Sequence, residues 1–122
     1  MSSIQVKKFR DYVLCTLLDK VFIRNQVEDF HSEIKKIEHP TQKKYILDFS
    51  RCEYVSSEGL GTLAEFWSSC EDKKACMCLI LSEKKENEVA YLFDIIGLSK
   101  LMAGHIFYDL ETAKQFVKQQ SN

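Results

Sequence analysis

The chain has 122 residues, of which 45% are hydrophobic and 29% charged, and its formal net charge is -1. This length and balance predict one globular domain, residues 1–122, with a hydrophobic core of its own. The small net charge and the pI of about 6.3 exclude a broadly basic surface of the kind that binds nucleic acid or anionic membranes.

The cysteines and the apolar runs indicate a cytoplasmic protein without membrane insertion. No apolar run approaches the roughly 20 residues of a membrane-spanning helix, and residues 1–8 lack the apolar stretch of a secretory leader. Five cysteines cannot form a complete intramolecular set of disulfides. Cys15, Cys76 and Cys78 lie in apolar runs, so we expect them to be reduced and buried.

Two strands and a helix open the chain. Ile4–Phe9 and Tyr12–Leu18 read as strands that pair in a hairpin. Asn25 and Glu28 have the spacing of a helix N-cap and its reciprocal acid, and His39-Pro40 ends that helix. The apolar stripe of this helix is Val27, Phe30, Ile34 and Ile37.

Strands and helices alternate through the middle of the chain. Tyr45–Phe49 and Ala75–Leu81 are short apolar runs, typical of strands that are covered on both faces. The helix between them has the apolar stripe Leu60, Leu63, Ala64 and Trp67. A third helix has the apolar stripe Val89, Leu92, Phe93 and Ile96. Gly97 is placed to end this third helix.

A short strand, His105–Tyr108, and a helix capped by Asp109 close the chain. The inward positions of the last helix are Leu110, Ala113, Phe116 and Val117. This order predicts an α/β sandwich-like domain with about four helices. Its sheet is expected to be mixed and mostly parallel, with an antiparallel hairpin at the N-terminal edge.

The segment between the Tyr45–Phe49 strand and the next helix ends in Ser-Ser-Glu-Gly-Leu-Gly, residues 56–61. Serine is a strong N-cap, the acid of Glu58 complements the helix dipole, and free backbone N–H groups at a helix start favour anions such as phosphate. Gly59 and Gly61 remove side chains from the first turns. This allows a partner or ligand to approach the backbone, or it relieves crowding inside the fold.

Catalysis and metal binding have little support in the sequence, so we predict no enzyme activity, no cofactor and no metal. Ser57 is not part of a G-x-S-x-G nucleophile elbow. Cys76 and Cys78 lie on one face of a strand, but the apolar residues around them favour buried structural thiols. The three histidines, which show no metal-ligand spacing, are His31, His39 and His105.

Several segments together resemble the signature of the STAS family, which sulphate transporters and bacterial anti-sigma factor antagonists share. The matching segments are Leu47-Asp48-Phe49-Ser50, Tyr54-Val55, Ser56–Gly61, Ile96–Leu101 and Tyr108–Ala113. The resemblance implies a member of the antagonist branch, which binds a GHKL-type serine kinase that is also an anti-sigma factor. Phosphorylation of a serine at the helix start breaks that contact, and a phosphatase restores it. The implied contact residues are Asp48, Ser56, Ser57, Glu58, Gly59, Leu60 and Gly61.

The sequence departs from the family pattern at two places. Glu58 occupies the position of the phosphorylated serine. The family's G-E-L-D motif after the second strand is replaced here by Asp19-Lys20-Val21-Phe22-Ile23, which lacks the family's aspartate and offers Asp19 as a nearby substitute. Three hypotheses follow: Ser57, or less readily Ser56, is the phosphoacceptor; Glu58 is a fixed partial mimic of the phosphate; or phosphoregulation has been lost. The alternative function is a structural STAS subunit of a lipid-transport ATPase or a sensory scaffold, which needs no phosphate cycle.

Overall fold

The computed structural model describes residues 2–37, 41–83 and 88–120. Its strands are β1 Ile4–Lys8, β2 Val13–Leu17, β3 Val21–Phe22, β4 Lys44–Asp48, β5 Tyr54–Val55, β6 Cys76–Ile80 and β7 Ile106–Phe107. Its helices are α1 Arg24–Ile37, α2 Ser57–Asp72, α3 Glu88–Ile95, α4 Leu98–Leu101 and α5 Leu110–Gln119. The predicted α/β class is confirmed.

Five strands form the main sheet in the order β1-β2-β4-β6-β7. β1 and β2 are antiparallel and the other neighbours are parallel, which confirms the mixed sheet with its N-terminal hairpin. β3 and β5 pair in parallel as a separate two-stranded sheet. The sequence did not predict this small sheet, because two-residue strands are too short to show a period.

The helices lie on both faces of the main sheet. Residues of α1 to α4 form one core cluster with one face, and α5 forms a second cluster with the other. β6 illustrates the alternation that side chains follow along a strand: Met77 and Leu79 belong to the first cluster, and Cys78 and Ile80 to the second. The continuous apolar run in this strand therefore reflects burial on both faces.

The N-cap predicted for α1 is wrong. The helix begins at Arg24, so Asn25 lies inside its first turn. The side chain of Gln26 makes the capping contact instead: its Oε1 accepts a hydrogen bond from the backbone N–H of Ile23 at 3.3 Å, and its Nε2 donates to Asp19 at 2.9 Å. A glutamine at the third helical position can close the helix start in this way. The predicted helix end at His39-Pro40 lies outside the described residues.

The region after α3 differs from the prediction in two respects. Gly97 has the left-handed φ of 83° that ends a helix, as predicted, but it is followed at once by α4, which brings the number of described helices to five. Ile96 was expected in the buried stripe of α3 and is 49% exposed, because α3 ends at Ile95 and Ile96 belongs to the turn. In the part of the chain that the structure describes, no helix has the length and hydropathy needed to cross a bilayer.

Candidate functional site

Ser56 is the N-cap of α2, as the sequence predicted. Its backbone is extended, with φ -78° and ψ 168°, and its Oγ accepts a hydrogen bond from the backbone N–H of Gly59 at 3.0 Å. Its carbonyl accepts the first intrahelical bond, from Leu60 N at 2.9 Å. A serine in this geometry satisfies one of the N–H groups that a helix start leaves without an intrahelical acceptor.

The small β3–β5 sheet holds this helix start in place. The backbone N–H of Ser56 donates to the carbonyl of Phe22 at 3.2 Å, and the backbone N–H of Glu53 donates to the carbonyl of Lys20 at 2.6 Å. β3 also leads directly into α1, so the two-stranded sheet connects the starts of α1 and α2. The loop that enters α2 is therefore anchored by backbone hydrogen bonds.

The two glycines of the segment have different surroundings. A Cβ added at Gly59 would lie 2.6 Å from the carbonyl oxygen of Phe22 and 2.9 Å from Val55 Cγ1. A Cβ added at Gly61 would meet no atom within 4 Å. Gly59 therefore relieves crowding inside the fold, whereas Gly61 leaves open space on the outer surface of the helix.

The predicted contact residues divide into an exposed set and a buried set. Ser57, Glu58 and Gly61 are exposed, and Ser56 is partly buried. Gly59 and Leu60 are buried beneath this surface, with Leu60 in the core cluster of α1 to α4. We name the exposed set Ser57, Glu58 and Gly61 the α2 tip. Direct contact of a partner with Gly59 or Leu60 stays a prediction.

Asp48 lies at the carboxyl end of β4 and is partly buried. Its Oδ1 accepts a hydrogen bond from the backbone N–H of Ser50 at 3.1 Å. This is the local bond that an aspartate makes to the residue two positions on, and it shapes the turn by which the chain leaves the sheet. A contact between Asp48 and a partner also stays a prediction.

Two exposed apolar side chains next to the α2 tip were missing from the predicted contact set. Tyr54 is 47% exposed and Ile23 is 36% exposed. Tyr54 is the first residue of β5, the strand that ends directly before Ser56. Ile23 follows Phe22, whose carbonyl accepts the hydrogen bond from the backbone N–H of Ser56. No sequence pattern marked Tyr54 as exposed, because Tyr54 and Val55 are both apolar and a two-residue strand is too short to show a period. The structure separates them, since neighbouring residues of a strand face opposite ways and Val55 is buried. An exposed aromatic beside a polar helix start is typical of a protein-binding surface.

The charges at this surface are exposed and weakly paired. Glu53 and Lys20 form an ion pair with an N–O distance of 3.8 Å, and both side chains are more than half exposed. Pairs of this kind contribute little to stability. The helix start adds partial positive charge from its free N–H groups, so the α2 tip has one acidic side chain on a backbone that attracts anions.

A second group of polar side chains lies at the other end of the sheet. Cys76, Cys78 and His105 offer ligand atoms that all lie within 4.8 Å of one another. A hydrogen bond from Cys78 holds the pKa of the Cys76 thiol below its usual value, and the nearby Lys44 ammonium acts in the same direction. The same bond, together with burial, raises the pKa of Cys78. The spacing of the histidines in the sequence concealed this cluster, because His105 joins the two cysteines only in the fold.

The model of the STAS domain matches residues 5–113 of this chain. The chain belongs to the STAS domain family. The comparison with curated proteins finds no match.

Solved structures share the fold of this STAS domain at low sequence identity. It superposes on the unphosphorylated anti-sigma factor antagonist SpoIIAA with a TM-score of 0.73 and 18% identity, over 98% of this chain and 99% of the other. A Thermotoga maritima protein assigned as an anti-sigma factor antagonist gives a TM-score of 0.72 and 18% identity, over 95% of both chains. The murine anion transporter Solute Carrier 26 family member A9 gives a TM-score of 0.75 and 20% identity over 93% of this chain. The chain spans about a fifth of that transporter, since it covers 19% of its length.

Proposed function

We propose that this STAS domain is a regulatory protein of the anti-sigma factor antagonist type. It binds an anti-sigma factor that is also a GHKL-type serine kinase, through the α2 tip, Ser56, Asp48 and the buried Gly59 and Leu60 that shape the surface. It acts in the cytoplasm as a binding protein and not as an enzyme. The observation that carries the proposal is the exposure of Ser57 and Glu58 on a helix start that is anchored by backbone hydrogen bonds.

The rigidity of this surface supports a role in binding. The entry into α2 is held by the Ser56 cap and by the bond to the Phe22 carbonyl, so little conformational entropy is lost when a partner docks there. Tyr54 and Ile23 supply exposed apolar area beside it. A polar tip next to an aromatic side chain matches the composition of protein–protein contacts.

Ser57 is the better phosphoacceptor of the two serines. Its side chain is exposed and stands at the first position of the helix. Ser56 is partly buried, and its Oγ already accepts the hydrogen bond that caps the helix. A kinase must surround the hydroxyl it modifies, which favours the exposed serine. A phosphatase that removes the phosphate would complete the cycle.

Phosphate at Ser57 would separate the complex without unfolding the domain. The group carries roughly -1.5 to -2 charge, and a helix start stabilises an anion. At an interface the same charge must lose its water, so the contact with the partner is weakened. Glu58 carries a single negative charge, so it mimics the phosphorylated form only in part.

A structural STAS subunit is the second candidate. Glu58 stands where the family pattern has its phosphorylated serine, and a domain of the same fold is contained in a much longer anion transporter. Both observations favour a constitutive contact with a larger assembly, such as a lipid-transport ATPase or a sensory scaffold.

Binding and phosphorylation can be measured with a GHKL-type serine kinase encoded in the same genome. Isothermal titration with the kinase should give one-to-one binding, and incubation with ATP followed by mass spectrometry should place one phosphate on Ser57. Ser57→Ala should retain binding and lose the phosphate, whereas Ser57→Asp should weaken binding at least about tenfold, which corresponds to about 1.4 kcal/mol. Ser68→Ala is the matched control, because Ser68 is an exposed serine on the same helix but far from its start.

The outcomes separate the hypotheses. A bound kinase that leaves Ser56 and Ser57 unmodified after full turnover contradicts phosphorylation at this site. An unchanged affinity after Glu58→Ser contradicts the mimic. If no such kinase binds and a transport ATPase or scaffold co-purifies from the native host through the α2 tip, the structural subunit is correct.

A further inference from the structure

We propose that Cys76, Cys78 and His105 form a binding site for one Zn²⁺ ion that connects β6 to the edge strand β7. One ligand atom from each residue lies within 4.8 Å of the other two. Tetrahedral zinc with Zn–S bonds of about 2.3 Å and Zn–N bonds of about 2.0 Å needs ligand atoms about 3.5–3.8 Å apart. Because the ligand atoms lie within 4.8 Å of one another, no pair has to close by more than about 1.3 Å, which rotation of the side chains provides.

The backbone brings these residues together from two strands. Cys76 and Cys78 are two positions apart on β6, so their side chains lie on the same face of the sheet. His105 stands directly before β7, and its carbonyl accepts a hydrogen bond from the backbone N–H of Leu79 at 2.9 Å. The site is thus built on paired strands and not on a loose loop.

His105 makes a hydrogen bond that metal-binding histidines commonly make. Its Nδ1 lies 2.8 Å from the carbonyl oxygen of Met77. A carbonyl only accepts, so Nδ1 carries the proton and Nε2 keeps its lone pair for a ligand bond. Such a bond from the second ring nitrogen fixes the tautomer and the ring orientation in metal sites. The rings of Trp67 and Phe116, with centroids 4.9 Å and 5.1 Å away, pack edge-on against His105.

The donor set fits zinc. Two thiolates and an imidazole are soft and borderline ligands, which select zinc over magnesium or calcium. Cys78 is buried, whereas Cys76 and His105 are partly exposed, so an ion can enter from solvent and keep a water as its fourth ligand. A disulfide is a poorer use of this pair. Residues two apart in an extended strand have Cα atoms about 6.6 Å apart, at the upper limit for a disulfide.

The site is separate from the α2 tip. Cys76 is the first residue of β6 and His105 precedes β7, so the cluster lies at the amino ends of these parallel strands. Asp48, by contrast, lies at the carboxyl end of β4. Zinc here would connect a two-residue edge strand to the centre of the sheet, and its role does not depend on the proposed kinase partner.

Metal titration of the reduced, chelator-treated protein tests the site. Co²⁺ should give the visible absorption of a tetrahedral thiolate complex, and competition with a chromophoric chelator should give one tightly bound Zn²⁺ per chain. Cys76→Ser, Cys78→Val and His105→Gln should each weaken zinc binding by about 100-fold or more, since even loss of an outer-shell partner costs 10–100-fold. Cys78→Val keeps a buried apolar side chain, so the fold tolerates it. A 100-fold excess of free zinc over its Kd should raise the folded-to-unfolded ratio about 100-fold.

The controls are Cys52→Ala and His31→Gln, which remove a thiol and an imidazole outside the cluster and should leave zinc binding unchanged. Circular dichroism checks the fold of each variant before titration. The proposal is overturned if the wild-type protein shows no cobalt absorption, if zinc affinity survives in Cys76→Ser and Cys78→Val, or if one metal is bound per two chains.

Discussion

The substitution of alanine for each glycine at the start of α2 separates packing from surface exposure. At Gly59 the new Cβ would lie 2.6 Å from the Phe22 carbonyl and 2.9 Å from Val55 Cγ1, closer than real Cβ contacts. At Gly61 it would meet nothing within 4 Å. The chemical change is identical and the two positions lie two residues apart, on opposite sides of one helix, so each variant is the control for the other.

The expected free energies follow from this geometry. Overpacking costs about 1–3 kcal/mol, and the upper value applies at Gly59 because a backbone carbonyl cannot rotate aside. Alanine in a helix gains about 1 kcal/mol over glycine. Gly59→Ala should therefore lower the free energy of unfolding by about 2 kcal/mol, and Gly61→Ala should raise it by about 1 kcal/mol.

Urea denaturation followed by circular dichroism measures both values, with equal m-values as the check that the unfolded states are comparable. The two variants should differ by about 3 kcal/mol in the free energy of unfolding. If Gly59→Ala is as stable as Gly61→Ala, the close approach of β3 to the helix start is wrong. Since Gly61→Ala keeps the fold, it also tests the contact proposed for the α2 tip without a stability artefact.

Three further changes test other parts of the structure. Ser56→Ala removes the acceptor for the N–H of Gly59 and should lower the free energy of unfolding by about 1 kcal/mol; an unchanged midpoint in urea would contradict the cap. Phe30→Ala removes a ring that packs edge-on against three other phenylalanines and should cost about 3–5 kcal/mol by thermal or urea unfolding; a loss below 1 kcal/mol would contradict this packing. Hydrogen bonds from the backbone and side chain of Ser3 lower the pKa of Asp29 from 3.8, so its contribution is present above that pH and is lost as the pH falls through the folded value. The stability difference between wild type and Asp29→Asn should be constant near pH 6 and shrink in acid; a difference that grows on acidification would contradict the assigned bond.

Local interactions explain which parts of the structure were predictable from sequence. The caps of α2 and α5 depend on side chains that bind an N–H three positions on, as Ser56 and Asp109 do, so the pattern is visible in the chain itself. The left-handed end of α3 at Gly97 is likewise a property of one residue. The alternation of strands and helices followed from hydrophobic period and predicted the mixed sheet.

The helix start of α1 shows where a local signal misled. Asn25 and Glu28 have the right types and spacing for a cap, yet the helix begins one residue before Asn25. Gln26 in α1 donates a hydrogen bond to Asp19, which lies in the connection between β2 and β3. This bond stabilises a helix that begins at Arg24. When several polar residues within one turn could each cap a helix, tertiary contacts of this kind decide which one does.

Short and distant contacts could be decided only by the tertiary structure. The β3–β5 pairing joins two-residue strands, and the role of Gly59 depends on Phe22, which is remote in the chain. The cluster of Cys76 and Cys78 with His105 likewise exists because β7 pairs with β6. The sequence by itself determined the five strands of the main sheet, the four longer helices, the cap of α2 and the family, because these depend on residues a few positions apart. The surroundings of each glycine and cysteine were set by packing between elements, since that packing depends on residues far apart in the chain.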